Sequence, residues 1–412
     1  MSRPVNQTVP PALHLLLDDP ALRRIFALLD EGENSVRLVG GVVRNVLMGR
    51  SVTDIDMATT HLPETVMEKA RQAGIKVIPT GLAHGTVTLV TGGRSFEITT
   101  LREDIETHGR HATVRFGRDF SHDALRRDFT INALYADARG HIYDYAHGLD
   151  DIARKQVRFI GEARTRIAED YLRILRFFRF VSDYGEGPMD QDGLSACIAM
   201  REGLKQLSRE RIGTELLKIL VSRRAVEVVF AMEQGGILPL ILDGPVHTDA
   251  FAQLVRLAPE SDAMIRLFAL TRPDHAEIQA LRDGLRLSNQ QSGLLEHINR
   301  ALALLVPPED PINRRHSAFR LGYEATSAAL MLAAGRNSLP RLWLDGAMAD
   351  ITTVPEKSPF SGQQLLARGL KAGPQIGAIV AEAERLWIAE GMSGDAAIQN
   401  SQLERAVKHI LD

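Results

Sequence analysis

The sequence predicts an α+β protein, with a small mixed head followed by a long all-helical remainder. Three observations predict it. Short alternating runs joined by glycine turns fill the chain up to about residue 150. Helical periodicity with Gly/Pro breaks takes over after that point. A chain of 412 residues is also too long for one compact core, so two or more domains are expected.

The elements follow in order. PALRRIFALLDE, residues 20–31, has the spacing of a short amphipathic helix. SVRLVGG reads as a strand entering a glycine turn, and VVRNVLMG as the helix that leaves it. TDIDMATT reads as a second strand. PETVMEKARQAG is a helix with proline at its start and glycine just past its end. TVTLV-TGG-RSFEITTLR has the form of a hairpin. The polar segment Glu103 to Leu125 reads as a loop leading to RRDFTINALYAD, a further alternating run. RIAEDYLRILRFFRFVSDYG and RERIGTELLKILVS then carry helical period.

Bulk properties narrow the function classes. The net charge of −3 requires any nucleic-acid surface to be a local patch. A single cysteine, Cys197, excludes a disulfide framework and cysteine-based zinc sites, and fits a reducing cytoplasm. No secretory signal and no membrane-spanning apolar run are expected.

The chemistry concentrates in LVGGVVRNVLMGRSVTDIDMATT. Residues two apart on a strand share a face, so Asp54 and Asp56 project together with Ile55 turned to the core. Two hard oxygen donors at this spacing suit Mg²⁺, which is completed by phosphate oxygens and water. Glu97, on the second strand of the following hairpin, supplies a third carboxylate if that strand lies alongside; two metals could then serve an in-line phosphoryl displacement. D-x-D alone reads more readily as an exposed strand end than as a metal site. The turn ahead of it favours the metal. Gly40 and Gly41 let the backbone approach a ligand, the next helix aims N–H groups at it, and Arg44 adds a fork-shaped cation for a phosphate.

AEDYLRILRFFRF holds the second constellation. Asp170, Arg173, Arg176 and Arg179 recur every third residue, close to one helix face, while Leu172, Leu175 and Phe178 mark another. A solvated, salt-bridged stripe is the ordinary reading of such spacing. Base chemistry offers another. Cytosine and adenine each place an amino donor beside a ring-nitrogen acceptor; uracil and guanine place a carbonyl beside an N–H. A carboxylate next to a guanidinium matches the first pair and opposes the second. From Arg154 to Arg179 there are eight cations against three acids, a basic patch in a nearly neutral chain.

GGVVRNVLMGRSVTDID, HGTVTLV, FEITTLRED, RRDFTINALYAD, EDYLRILRFFRF and RERIGTELLKIL, in that order, resemble class II tRNA nucleotidyltransferases, the CCA-adding enzymes and related bacterial poly(A) polymerases. The resemblance covers residues 36–220, with a weaker likeness in FSGQQLLARGLKAGPQIGAIVAEAERLWI. It implies a DNA-polymerase-β-like nucleotidyltransferase head over residues 1–150, a helical neck over 151–225 and a tRNA-binding body and tail over 226–412. It implies Mg²⁺ at Asp54 and Asp56, with Glu97 as third carboxylate and Glu103 and Asp104 as its rivals. It implies triphosphate contacts from Gly40, Gly41 and Arg44, nucleotide contact from Arg127, and base reading by Asp170 and Arg173 with Arg176 and Arg179. The implied partners are CTP, ATP and the tRNA 3′ end, with no membrane and no protein partner.

Asn45 departs from the family, which usually has Asp after the arginine, and predicts the loss of an orienting carboxylate contact to Arg44 or a turn amide. The rival readings are a poly(A) polymerase, a CC- or A-adding enzyme, and a non-catalytic nucleotide- or RNA-binding regulator. HGTVTLV and the lack of a basic C-terminus oppose the first. The length of Glu103 to Leu125 opposes a CC-only enzyme, and retention of Asp54 and Asp56 opposes the regulator. His122-Asp123 reads as a loop feature rather than a hydrolase metal site, and Lys371 to Pro374 as a helix-turn-helix corner rather than a phosphate grip.

Overall fold

The computed structural model describes residues 10–31, 35–106 and 113–411. It divides into two compact units, Met1–Leu207 and Ser208–Asp412.

The first unit opens with helices α1 (Pro11–Leu17) and α2 (Pro20–Leu29). Then come β1 (Val36–Val39), α3 (Gly41–Leu47), β2 (Ile55–Thr59), α4 (Pro63–Gln72), β3 (Lys76–Gly81), β4 (Thr86–Thr91) and β5 (Arg94–Thr100). β6 (Arg102–Glu106) and β7 (Thr113–Phe116) pair as a separate antiparallel ribbon, and α5 (Phe120–Leu125) follows. β8 (Leu134–Ala136), β9 (Ile142–Asp144), α6 (Gly148–Arg154), α7 (Ala163–Glu169), α8 (Leu172–Tyr184) and α9 (Gln191–Ala199) complete the main elements.

Seven strands form one sheet in the order β3-β4-β5-β2-β1-β8-β9. β2 and β5 are parallel neighbours and the other pairs are antiparallel. One sheet face packs on α1 to α4 through Leu22, Ile25, Leu38, Val42, Ile55, Met57, Val66 and Phe96, among others. The opposite face buries a second cluster that includes Val39, Ala58, Phe120, Tyr135 and Tyr143. Asp19 caps α2 by accepting from the Ala21 and Leu22 amides, and Pro63 starts α4 as the sequence predicts.

Three sequence expectations change. RRDFTINALYAD does not alternate as one strand. Thr130–Asn132 form a 3₁₀ turn, only Leu134–Ala136 is strand, and every residue from 128 to 137 is buried. Its buried polar side chains hydrogen-bond within the protein. Part of the expected loop is the β6–β7 ribbon and α5; residues 107–112 lie outside the described set. The stretch AEDYLRILRFFRF belongs to two helices rather than one. Asp170 is extended (φ −154°, ψ 106°) and separates α7 from α8.

The second unit is helical among the described residues, from α10 (Arg209–Leu220) to the helices Pro374–Ala389 and Ala396–Leu411. Its longest helix, Pro311–Arg336, is interrupted at Gly322, whose φ of 84° no other residue adopts readily. Lys371 to Pro374 is the corner leading into helix Pro374–Ala389. Among the described residues no helix is long and apolar enough to cross a membrane.

Candidate active site

β2 sends Ile55 and Met57 into the core beneath the helices, so alternation turns Asp56 to the opposite face. Asp54 stands exposed just ahead of the strand. β5 lies parallel beside β2 with Glu97 in register with Asp56, the adjacency that a third carboxylate requires. Burial, then Glu97 and Asp54, push the Asp56 carboxyl up to about 6, while Arg127 and Arg44 act in the opposite direction. Five residues singled out from the sequence thus act on one another electrostatically. Among the described residues no group of three or more His, Cys, Asp or Glu is set to hold a metal by protein ligands alone. The donor set fits a hard cation that draws its remaining ligands from phosphate and water: two carboxylates close in sequence, with a charge penalty at Asp56 that a cation would relieve.

The turn has the expected form. Gly40 takes φ 68°, ψ −117°, and a Cβ there would fall 3.3 Å from an Arg127 guanidinium nitrogen. Its N–H donates to the Leu134 carbonyl at 3.0 Å, tying the turn to β8. Arg44, only 6% exposed, donates to the Asn45 Oδ1 from Nε (3.2 Å) and Nη2 (2.9 Å), to the Tyr184 hydroxyl (2.7 Å) and to the Asn132 Oδ1. Its guanidinium also lies 3.9 Å from the Tyr184 ring centroid. In place of the carboxylate contact whose loss the sequence predicts, the Asn45 amide oxygen meets Arg44, and Nδ2 donates onward to the Ser51 carbonyl at 3.2 Å.

Arg127 is held by Asp123, whose carboxylate accepts from its Nε and Nη2 (3.2 and 3.0 Å) and from the Tyr135 hydroxyl (2.7 Å). Burial opposes the charge on Asp123, but Arg127 and Arg126 hold its carboxyl well below the usual range. Asp123 is thus a structural anchor; the His122-Asp123 sequence had given no sign of that role. Asp128 accepts from Arg176 and from the Asn132 Nδ2 (3.0 Å). A continuous chain therefore runs Arg44–Asn132–Asp128–Arg176, from the glycine turn to α8.

The reader residues sit differently from a single stripe. The Asp170 carboxylate accepts from the Leu172 amide at 3.1 Å and so helps to start α8. Arg173 donates to Glu169 (2.6 Å) and to the Arg166 and Arg126 carbonyls (2.8 and 3.1 Å). Arg179 packs 4.7 Å from the Phe180 ring centroid. The basic patch is partly compensated, from inside its own segment by Glu169 on Arg166 and Arg173 and from outside it as well. Arg158 pairs with Asp151, Lys155 with Glu186 and Arg176 with Asp128. Sequence reasoning passed over Tyr184, Asn132, Asp128 and Asp123. The last three lie in or beside RRDFTIN, where polar residues amid an apolar run were the available signal.

Residues 36–158 match the family model for the poly A polymerase head domain, and residues 188–251 match the probable RNA and SrmB-binding site of polymerase A. The chain is 34% identical to CCA tRNA nucleotidyltransferase 1, mitochondrial, of Danio rerio, over 87% of this chain and 85% of that protein. It is 32% identical to the Homo sapiens protein of the same name, over 90% and 86%. The crystal structure of the Bacillus stearothermophilus CCA-adding enzyme in complex with CTP superposes with a TM-score of 0.74 at 26% identity, covering 97% of this chain and 98% of that one. The Thermotoga maritima CCA-adding enzyme complexed with tRNA shares the fold at 19% identity, with a TM-score of 0.74 over 98% of this chain and 99% of that one.

Proposed function

The chain belongs to the CCA-adding tRNA nucleotidyltransferase family, and from that premise we propose that it adds C, C and A to tRNA 3′ ends from CTP and ATP. The RNA 3′-oxygen attacks the α-phosphorus, a 3′-oxygen–phosphorus bond forms, the α–β phosphoanhydride breaks and pyrophosphate leaves. The single observation that carries the site assignment is Asp56 in register with Glu97 and close to Asp54, flanked by Arg44 and Arg127.

A divalent metal is the cofactor class of this family; we assign Mg²⁺, held by Asp54 and Asp56. When bound, it supplies activation of the attacking hydroxyl and stabilisation of the leaving oxygen. Glu97 sets the charge at Asp56 and is the third carboxylate. Gly40 and Gly41 admit the triphosphate to the backbone and Arg44 neutralises it. Arg127, locked by Asp123 and Tyr135, offers a fixed guanidinium to the nucleotide. Asp170 accepts from the exocyclic amino group of C or A, and Arg173 donates to the neighbouring ring nitrogen. Arg176 and Arg179 complete that pocket. For Arg173 this means directing remaining N–H groups to the base while Glu169 holds the guanidinium in place.

Functionally we divide the chain into a head (1–150), a neck (151–225) and a tRNA-binding body and tail (226–412). We place it in the cytoplasm on its cysteine usage, although the vertebrate relatives are named mitochondrial.

The test is substitution of the metal carboxylates. Asp54→Ala and Asp56→Ala each abolish transfer of both C and A to tRNA lacking CCA, with circular dichroism unchanged. Incorporation near the wild-type rate by both variants with Mg²⁺ would refute the assignment.

A further inference from the structure

Arg44 differs from Arg127, Arg173 and Arg176 in what surrounds it. Arg127 is bonded to Asp123, Arg176 to Asp128 and Arg173 to Glu169. Arg44 is 6% exposed, and its hydrogen bonds go to the side chains of Asn45, Asn132 and Tyr184, all neutral. Asp128 is linked to it by hydrogen bonds through the Asn132 amide and also acts on it through space. Burial draws the Arg44 pKa below its ordinary value; Tyr184 and Asp128 act against that shift, and Arg179 and Arg50 act with it. The fold thus keeps a desolvated guanidinium with no bonded counter-charge beside the glycine turn.

The amide of Asn45 is what permits this. Its Oδ1 receives two Arg44 N–H groups and its Nδ2 meets the Ser51 carbonyl, so the two ends of the amide cannot be exchanged without placing donor against donor. A carboxylate here would compensate Arg44 and would set an oxygen against the Ser51 carbonyl. Ser51 lies on the segment that leads to Asp54. One side chain therefore orients the cation and ties it to the segment carrying the metal carboxylates.

We propose that Asn45 is a positioning residue that keeps Arg44 oriented without bonding a carboxylate to it, so that the guanidinium charge is directed at the polyphosphate of the nucleotide and at the pyrophosphate product. This rests on the assignment of Arg44 to the triphosphate. Tyr184, which takes Arg44 3.9 Å and Arg50 4.6 Å from its ring centroid, completes the neutral lining from the end of α8.

The experiment is calorimetric binding of inorganic pyrophosphate to the full chain without divalent metal, alongside the thermal midpoint of the ligand-free protein. Arg44→Gln tests the underlying assignment and loses binding. Asn45→Asp weakens binding roughly tenfold, the scale of one charge-assisted contact, while its ligand-free midpoint holds or rises because the buried cation gains a counter-charge. Asn45→Ala removes the acceptor without adding charge and keeps affinity within about threefold of wild type, less than one such contact. This variant keeps the test open should Asn45→Asp not fold. If Arg44→Gln loses binding while Asn45→Asp stays within twofold of wild type, the inference is overturned and the Arg44 assignment stands. A tenfold loss in Asn45→Ala overturns the charge argument in favour of orientation alone. Undiminished binding by Arg44→Gln overturns the assignment and this inference together.

Discussion

Burial and the neighbouring carboxylates raise Asp56 to about 6, so at neutral pH its ionised form opposes folding. The unfolded chain titrates this group near 3.8, so the penalty is absent below about pH 4, grows as pH rises to 6 and is constant above that. Asp56→Asn therefore stabilises the metal-free protein at pH 7 by about 1–3 kcal/mol while removing activity. The difference in stability between variant and wild type shrinks as pH falls from 6 to 4. Urea denaturation at several pH values, with EDTA, checks both points; a less stable variant at pH 7 would reverse the sign. Asp170 makes the complementary case for specificity. If it reads the amino group of C and A, Asp170→Ala costs about 1.5–3 kcal/mol in transfer of either, roughly tenfold to a hundredfold, and relaxes exclusion of U and G. Were its only duty to start α8, single-turnover kinetics would show all four nucleotides affected alike.

Among the elements, the β4–β5 hairpin and the β1–turn–α3 unit were legible because apolar alternation, a Gly-Gly turn and a positive-φ glycine leave local marks. The register of Asp56 with Glu97 was legible only as a condition, since a parallel neighbour is set by the crossover between the two strands and not by either sequence. The break between α7 and α8 was hidden. Apolar residues keep helical period across Asp170 and Tyr171, and no Gly or Pro interrupts them. RRDFTIN misled for the opposite reason. Asp128, Thr130 and Asn132 look solvent-facing, yet each is buried in a polar network with partners distant in sequence. The β6–β7 ribbon carries its own prediction. Phe116 lies where a Cβ on Gly85 would fall 2.7 Å from its ring, so the ribbon's base is seated on β4's start. Replacing residues 107–112 with Asn-Gly leaves a two-residue hairpin turn between the paired Glu106 and Thr113 and shortens the segment. The expected outcome is normal CC addition with a depressed final A, read on gels from tRNA lacking CCA. Equal loss at all three positions would count against a role in the C-to-A change.

For the whole molecule, a nearly neutral chain meets a polyanion through locally arranged charge rather than net charge. Arg173 and Arg176 of α8 are bonded to carboxylates, which fixes their geometry, whereas Arg44 is buried among neutral hydrogen-bond partners. We propose that one protein site chooses C twice and A once without a nucleic-acid template. The most direct measurement supplies each nucleoside triphosphate separately, with Mg²⁺, to three tRNA transcripts ending before CCA, after C and after CC. Two additions from CTP are expected on the first, one on the second and none on the third. A single addition from ATP is expected on the third, and no efficient transfer from UTP or GTP to any. Continued addition of A beyond one residue, or efficient incorporation of U or G, would contradict selection of C and A by a single site.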